Sequence, residues 1–184
     1  HFTNGRFELG VGSGWSWEEY AALGVDFARR GKRLDEYIEA LRVTWTEERA
    51  TYQGEFVSFE NAVMNPKPVT PGGPPIIIGG DSAAAMRRAA RLGDGWYGWW
   101  AQPDIHAHLT KLGQILNDHD RDLADDDFDF KLGLPLSRID PAEIESKIEI
   151  AASLQVNELV LAPAIPTKDF DEHLALLARA AGLS

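Results

Sequence analysis

Cysteine is absent from the 184 residues, which excludes a disulfide framework, a zinc finger and thiol catalysis. That absence fits a reducing cytosol, and the expected location is cytoplasmic. Basic residues are scarce as well: 18 Lys and Arg against 29 Asp and Glu leave a formal charge of −11. Binding to a phosphate backbone rests on basic patches, so nucleic acid is not an expected partner. No apolar run approaches the roughly 18 residues of a membrane span, so no membrane is expected either. The opening His1-Phe2-Thr3-Asn4-Gly5-Arg6 lacks the apolar core of a signal peptide. What is present, 44% hydrophobic and 26% charged residues, is enough to build one folded domain and excludes disorder.

Periodicity orders the chain. Phe7 to Val11 reads as a strand ending in Gly10-Val11-Gly12-Ser13-Gly14, where glycine frees the backbone for a turn. Phe27, Leu34, Tyr37, Ile38, Leu41 and Trp45 then fall at helical spacing, with Arg29, Arg30, Lys32, Arg33, Asp35, Glu36 and Glu39 on the other face. Thr51 to Phe59 reads as a hairpin turning at Gln53-Gly54, and residues 65–75 form a proline- and glycine-rich connection. Ile76-Ile77-Ile78 looks like a strand buried on both faces, so the 48–75 segment is an insertion within one domain, 1–184. Ser82 is a natural N-cap for the alanine-rich run that follows, and Gly93 suits a left-handed helix end.

Further strands are expected at Trp96–Trp99, Lys131–Leu134 and Leu159–Leu161. Helices are expected at Asp104–Asn117, after the cap Asp140-Pro141, and at Asp169–Ala181 with Phe170, Leu174, Leu177 and Ala181 inward. Strands alternating with helices imply a parallel sheet covered by helices, either doubly wound or closed as a (β/α) barrel.

In both architectures chemistry sits in the loops after the strands. Four segments meet that condition: Gly12-Ser13-Gly14-Trp15, Gly79-Gly80-Asp81-Ser82, Gly98-Trp99-Trp100 and Ala162-Pro163-Ala164. A strand ending in Gly-Gly and opening a capped helix can bring backbone N–H groups to an anion. The same four residues equally make a tight turn and a cap with no ligand, and both readings stand. Asp81 would repel an anion if it pointed inward, so it is expected to face solvent. The Gly10–Trp15 run lacks the third glycine of a dinucleotide fingerprint, and no Gly-Lys-Ser/Thr occurs. Trp15 and Trp99 fit an aromatic rim for a planar heterocycle, whereas Trp96 fits the core. His106, His108, His119 and His173 read as surface residues, and the Asp118–Asp129 stretch as a solvated loop without calcium-loop spacing. Ser13, Ser82 and Ser137 lack a nucleophile context, and no acid–base pair is evident.

Taken together, three segments resemble the bacterial luciferase-like superfamily. These are Asn4 to Trp15, the helix Arg30-Gly31-Lys32-Arg33-Leu34-Asp35-Glu36-Tyr37 with Leu41 and Trp45, and Pro74 to Gly80 followed by Ser82 and Arg87 to Trp96. They cover about residues 4–100 in order; the remainder agrees only in its elements. The resemblance implies a (β/α)8 TIM barrel, here a partial barrel of about five βα units equivalent to strands 4–8. It implies an oxidoreductase acting on a small molecule, with the deazaflavin F420 for hydride transfer as the first choice and FMN-dependent monooxygenation as the alternative. By the same analogy Gly79, Gly80 and Ser82 would hold the cofactor phosphate, and Gly12, Ser13, Gly14 and Trp15 would border the ring. Some F420 sugar-phosphate dehydrogenases of the family carry an acid where Trp15 stands, so no acid role transfers, and no catalytic residue is assigned. A complete barrel needs about 250 residues, so roughly three βα units are expected to precede His1. An open half-barrel would then associate with itself or with that missing portion. A different class, a fragment that only binds or oligomerises, is the remaining alternative.

Overall fold

The computed structural model describes residues 2–100, 104–137, 140–164 and 170–182. In chain order these form β1 (Leu9–Val11), α1 (Trp17–Ala22), a 3-10 turn (Phe27–Arg29), α2 (Arg30–Thr46), β2 (Ala50–Gln53), β3 (Ser58–Ala62) and β4 (Ile76–Gly79). There follow α3 (Ala83–Leu92), β5 (Gly95–Trp99), α4 (Ile105–Asn117), β6 (Asp129–Leu136), α5 (Pro141–Ser153), β7 (Glu158–Pro163) and α6 (Phe170–Ala180). Strands β1-β4-β5-β6-β7 make one parallel sheet in that order, and β2 and β3 form a separate antiparallel hairpin. The sheet is curled and its helices lie on one face, giving a half-barrel of the TIM type.

Alternation along the strands explains the layers. Ile76, Ile78, Trp96, Phe130, Leu132 and Leu134 are buried against Met86 and Ala89 of α3, Leu109, Leu112 and Leu116 of α4 and Ile144 of α5. Each large side chain buried there contributes about 1.5–3 kcal/mol. Ile77 is buried too, so the triple-isoleucine strand is covered on both faces as its sequence suggests. The opposite, concave face carries Tyr97, Lys131 and Gly133, which are neighbours across β5 and β6.

Several sequence expectations need correction. The first strand is shorter, because Phe7 lies outside it and is exposed. Helix α1 was not foreseen; Ser16, buried, caps it by accepting the Glu19 N–H at 3.3 Å. The hairpin turns over residues 54–57 because Glu36 of α2 accepts the N–H groups of Glu55 and Phe56 at 3.0 and 2.7 Å. Gly93 has φ −91, not a left-handed value; its constraint is space, since a Cβ would sit 2.8 Å from Ile78 Cγ1. In α6, Leu177 and Ala180 face the core while Phe170 and Leu174 are exposed; Asp169 lies outside the described residues. The caps at Ser82, Asp104 and Asp140 form as their residue types suggest.

Ion pairs bind the helices to one another. Arg88 and Arg91 of α3 both bond Asp35 of α2. Asp94 accepts the Ile76 N–H at 2.7 Å and pairs with Arg42 of α2 at 2.5 Å, so one carboxylate joins α2 to the start of β4.

Candidate functional site

Parallel pairing sets Val11 beside Ile78, so the loops leaving β1 and β4 emerge side by side at the C-terminal strand ends. Between them lies a cavity of about 440 Å³ lined by residues 12–15, residues 79–82, Arg30 and Ala85. All seven residues singled out in the sequence, Gly12, Ser13, Gly14, Trp15, Gly79, Gly80 and Ser82, therefore surround one space.

Each loop is held from outside. The Ser13 carbonyl accepts the Tyr20 hydroxyl at 2.7 Å, so α1 fixes the first loop. Gly14 has φ +72 and needs glycine there. In the second loop Gly80 has φ +125, donates its N–H to the Tyr97 carbonyl at 3.1 Å and accepts the Trp96 indole N–H at 2.8 Å. The Ser82 hydroxyl accepts the Ala85 N–H at 3.2 Å, and the N–H groups of Ala83 and Ala84 have no carbonyl within their own helix to donate to. Gly12 and Gly79 stand differently: a Cβ at either would make only ordinary contact, 3.8 Å to the Gly79 carbonyl and 3.5 Å to the Val11 carbonyl. Packing within the chain does not demand glycine at these two positions.

The tryptophans divide as composition could not foresee. Trp96 is fully buried and Trp100 nearly so, whereas Trp15 is 87% exposed at the rim and Trp99 45% exposed. Asp81 does not stand free in solvent as expected. Its Oδ1 accepts the Trp99 N–H at 3.2 Å and lies 3.3 Å from His108 Nε2. His108 is accordingly a half-buried residue against Trp96, not a surface one. His173 is also half-buried. The loop after β7 continues as Ala164, whose N–H bonds the Leu136 carbonyl, and residues 165–169 lie outside the description.

Three residues at or beside the site escaped sequence reasoning. Arg30 sits in a run of four near-consecutive cations, Arg29, Arg30, Lys32 and Arg33, that reads as one solvated face, yet it lines the cavity. His108 and Tyr97 carry no local motif. Burial raises the Tyr97 phenol above the usual tyrosine range, and the charges of Glu158 and Asp81 add to that, so it is protonated at neutral pH. The assembly can receive an anion at the start of α3, a flat group beside the first loop, and hydrogen bonds from a neutral phenol on the concave face.

A curled, parallel five-strand half-barrel with a glycine-lined cavity at its strand ends defines the class: a partial barrel of the (β/α)8 type. The chain belongs to the luciferase-like monooxygenase family, whose sequence model matches residues 1–179. An uncharacterised protein of Mycobacterium tuberculosis strain H37Rv is 33% identical over 182 residues, 98% of this chain and 60% of that protein. The chain thus spans about three fifths of the length of that relative. An FMNH2-dependent dimethylsulfone monooxygenase of Pseudomonas fluorescens is 40% identical over 98 residues, 52% of this chain and 26% of the enzyme. Among solved structures, an F420-dependent secondary alcohol dehydrogenase in complex with an F420-acetone adduct superposes with a TM-score of 0.75 at 15% identity, covering 94% of this chain and 68% of that one.

Proposed function

We propose that the whole protein is an oxidoreductase that uses F420 for hydride transfer to or from a small organic substrate, and that this chain carries the cofactor-phosphate side of its site. The observation that supports this most is the meeting of two glycine loops at one cavity at the C-terminal strand ends. Gly79, Gly80 and Ser82 would hold the phosphate through backbone N–H groups at the start of α3, and Gly12, Ser13, Gly14 and Trp15 would border the ring. The residues fit such a group: a Cβ at Gly12 or Gly79 would make only ordinary contacts, so the chain's own packing does not require glycine at these cavity-lining positions. When bound, a deazaflavin supplies hydride acceptance or donation, whereas a reduced flavin supplies reaction with oxygen. The chain's own part is to seat the ring edge and phosphate and to keep Gly80 fixed through Trp96 and Tyr97.

FMN-dependent monooxygenation is the second reading, favoured by the 40% identity to the FMNH2-dependent enzyme over 98 residues. Self-association, or association with further barrel elements, belongs to the same proposal, since the sheet has open edges at β1 and β7. Titration with F420 and with FMN, followed by fluorescence quenching, separates the readings. F420 binding well above FMN binding is expected. The reverse order moves the assignment to a flavin monooxygenase, and binding of neither overturns both.

A further inference from the structure

We infer that Tyr97 and Trp99 form a substrate subsite on the concave face for an uncharged carbonyl compound or alcohol. The Tyr97 hydroxyl donates to the ligand's oxygen, and the Trp99 ring covers its apolar part. The use made of that ligand rests on the oxidoreductase reading above; the binding does not. Two apart on β5, the rings share one face of the sheet and meet edge to face, with centroids 5.8 Å apart and planes at 82°. Both lie over Gly133, the register partner of Trp99 on β6. A Cβ there would collide with Tyr97 Oη and stand 2.8 Å from the Trp99 ring, so glycine at this position makes room for the pair. The phenol thus leans along its strand to the level of Trp99, at the end of β5 where such barrels carry their chemistry. The pair also adjoins the cavity. Asp81, which lines it, accepts the Trp99 N–H, and the Tyr97 carbonyl accepts the Gly80 N–H.

The surroundings set the ligand's chemistry. No described group bonds the Tyr97 hydroxyl, so a half-buried donor keeps its capacity for a ligand. Burial and the charges of Glu158 and Asp81 hold the phenol protonated at neutral pH, so it offers a proton to an acceptor. Lys131, the register partner of Tyr97, is already matched by Glu8 and Glu158, one ammonium against two carboxylates. A carboxylate or phosphate on this face would meet that excess of negative charge, whereas an uncharged oxygen meets the donor alone. Trp99, 45% exposed, gives the ligand's hydrocarbon part a flat apolar surface that binding removes from water.

Acetophenone, benzyl alcohol and benzoate share a ring and an acceptor oxygen but differ in charge, so titrating them into the full chain tests the subsite. Tyrosine labelled with carbon-13 at Cζ lets NMR read the phenol itself, and Tyr97→Phe identifies its resonance among the four tyrosines. Acetophenone and benzyl alcohol are expected to shift that resonance and to bind about tenfold more tightly than benzoate. Tyr97→Phe keeps the ring and is expected to weaken acetophenone by about three- to tenfold, the size of one hydrogen bond. Trp99→Leu is expected to weaken it as well. Circular dichroism establishes that each variant is folded. Equal acetophenone binding by a folded Tyr97→Phe overturns the inference. So does benzoate binding as tightly as acetophenone, or a Tyr97 resonance that acetophenone does not move. The F420 and FMN titrations decide separately. If neither cofactor binds while acetophenone shifts Tyr97, the cofactor reading fails and the subsite stands; if a cofactor binds and acetophenone does not, the subsite falls alone.

Discussion

Gly79 and Gly80 are adjacent in sequence yet glycine for different physical reasons, and this separates folding from binding. Gly80 has φ +125, a conformation that side chains rarely adopt, and a Cβ would stand 3.2 Å from Ala85 Cβ. Gly80→Ala is therefore expected to cost about 1–3 kcal/mol of stability. Gly79 has no such backbone constraint, and a Cβ would meet its nearest neighbour, the Val11 carbonyl, at 3.5 Å. Gly79→Ala is expected to stay within about 0.5 kcal/mol of wild type, the range of a change that breaks no contact. In the cofactor reading it nevertheless weakens F420 binding at least tenfold, because the methyl fills the approach to the phosphate. Thermal melts and cofactor titrations on both variants check the contrast. Equal destabilisation by the two would sink the distinction.

At the scale of elements, the β2–β3 hairpin is docked on α2 by carboxylates. Glu36 accepts two backbone N–H groups of the turn, Arg29 and Arg33 lie 4.5 Å over Phe56, and the Tyr52 hydroxyl donates to Glu39 at 2.7 Å. That bond to Glu39 is the main cause pushing the Tyr52 phenol up to about 12, with burial and the neighbouring negative charges adding. A folded-state value above the ordinary one, about 10, means the stabilisation is complete below pH 10 and is lost as pH rises through 12. Glu39→Gln is expected to bring the Tyr52 titration back toward 10, visible in a tyrosinate absorbance titration against wild type.

These contacts also show which elements a sequence can reveal. The parallel order of strands and helices was legible because Ile76-Ile77-Ile78, the Ser82 cap and Asp140-Pro141 each state a local preference that tertiary packing reinforces. Helix α1 was not: its six residues, Trp17–Ala22, bury none of their side chains, so no apolar stripe announces it. The glycine loops of the site were legible through backbone permissiveness. The positions of Arg30 at the cavity and of His108 against Asp81 were not, because they depend on which way one side chain turns between helix and strand.

Across the whole molecule, the two edges of the sheet are tied through its concave face. Lys131 on β6 is buried between Glu158, its register partner on the edge strand β7, and Glu8, which precedes the other edge strand β1. The tie therefore spans the curl of the sheet. Burial by itself lowers the ammonium pKa, but the hydrogen bonds to Glu158 and Glu8, with their charges, outweigh it and leave a net rise. A raised lysine value contributes stability that is fully present below about pH 10.5 and disappears as pH climbs through the folded value. Glu8 and Glu158 are 38% and 54% exposed, so water and salt weaken the pairs well below the cost of breaking a buried one. Lys131→Met is accordingly expected to cost about 1–3 kcal/mol at neutral pH, leaving two carboxylates facing each other across the curl. Urea unfolding at several pH values is the measurement. The gap between wild type and variant should be constant from neutrality to mildly alkaline pH and should close only in the lysine range. A gap that closes between about pH 6 and 8 would assign the effect to a histidine and overturn the role given to Lys131.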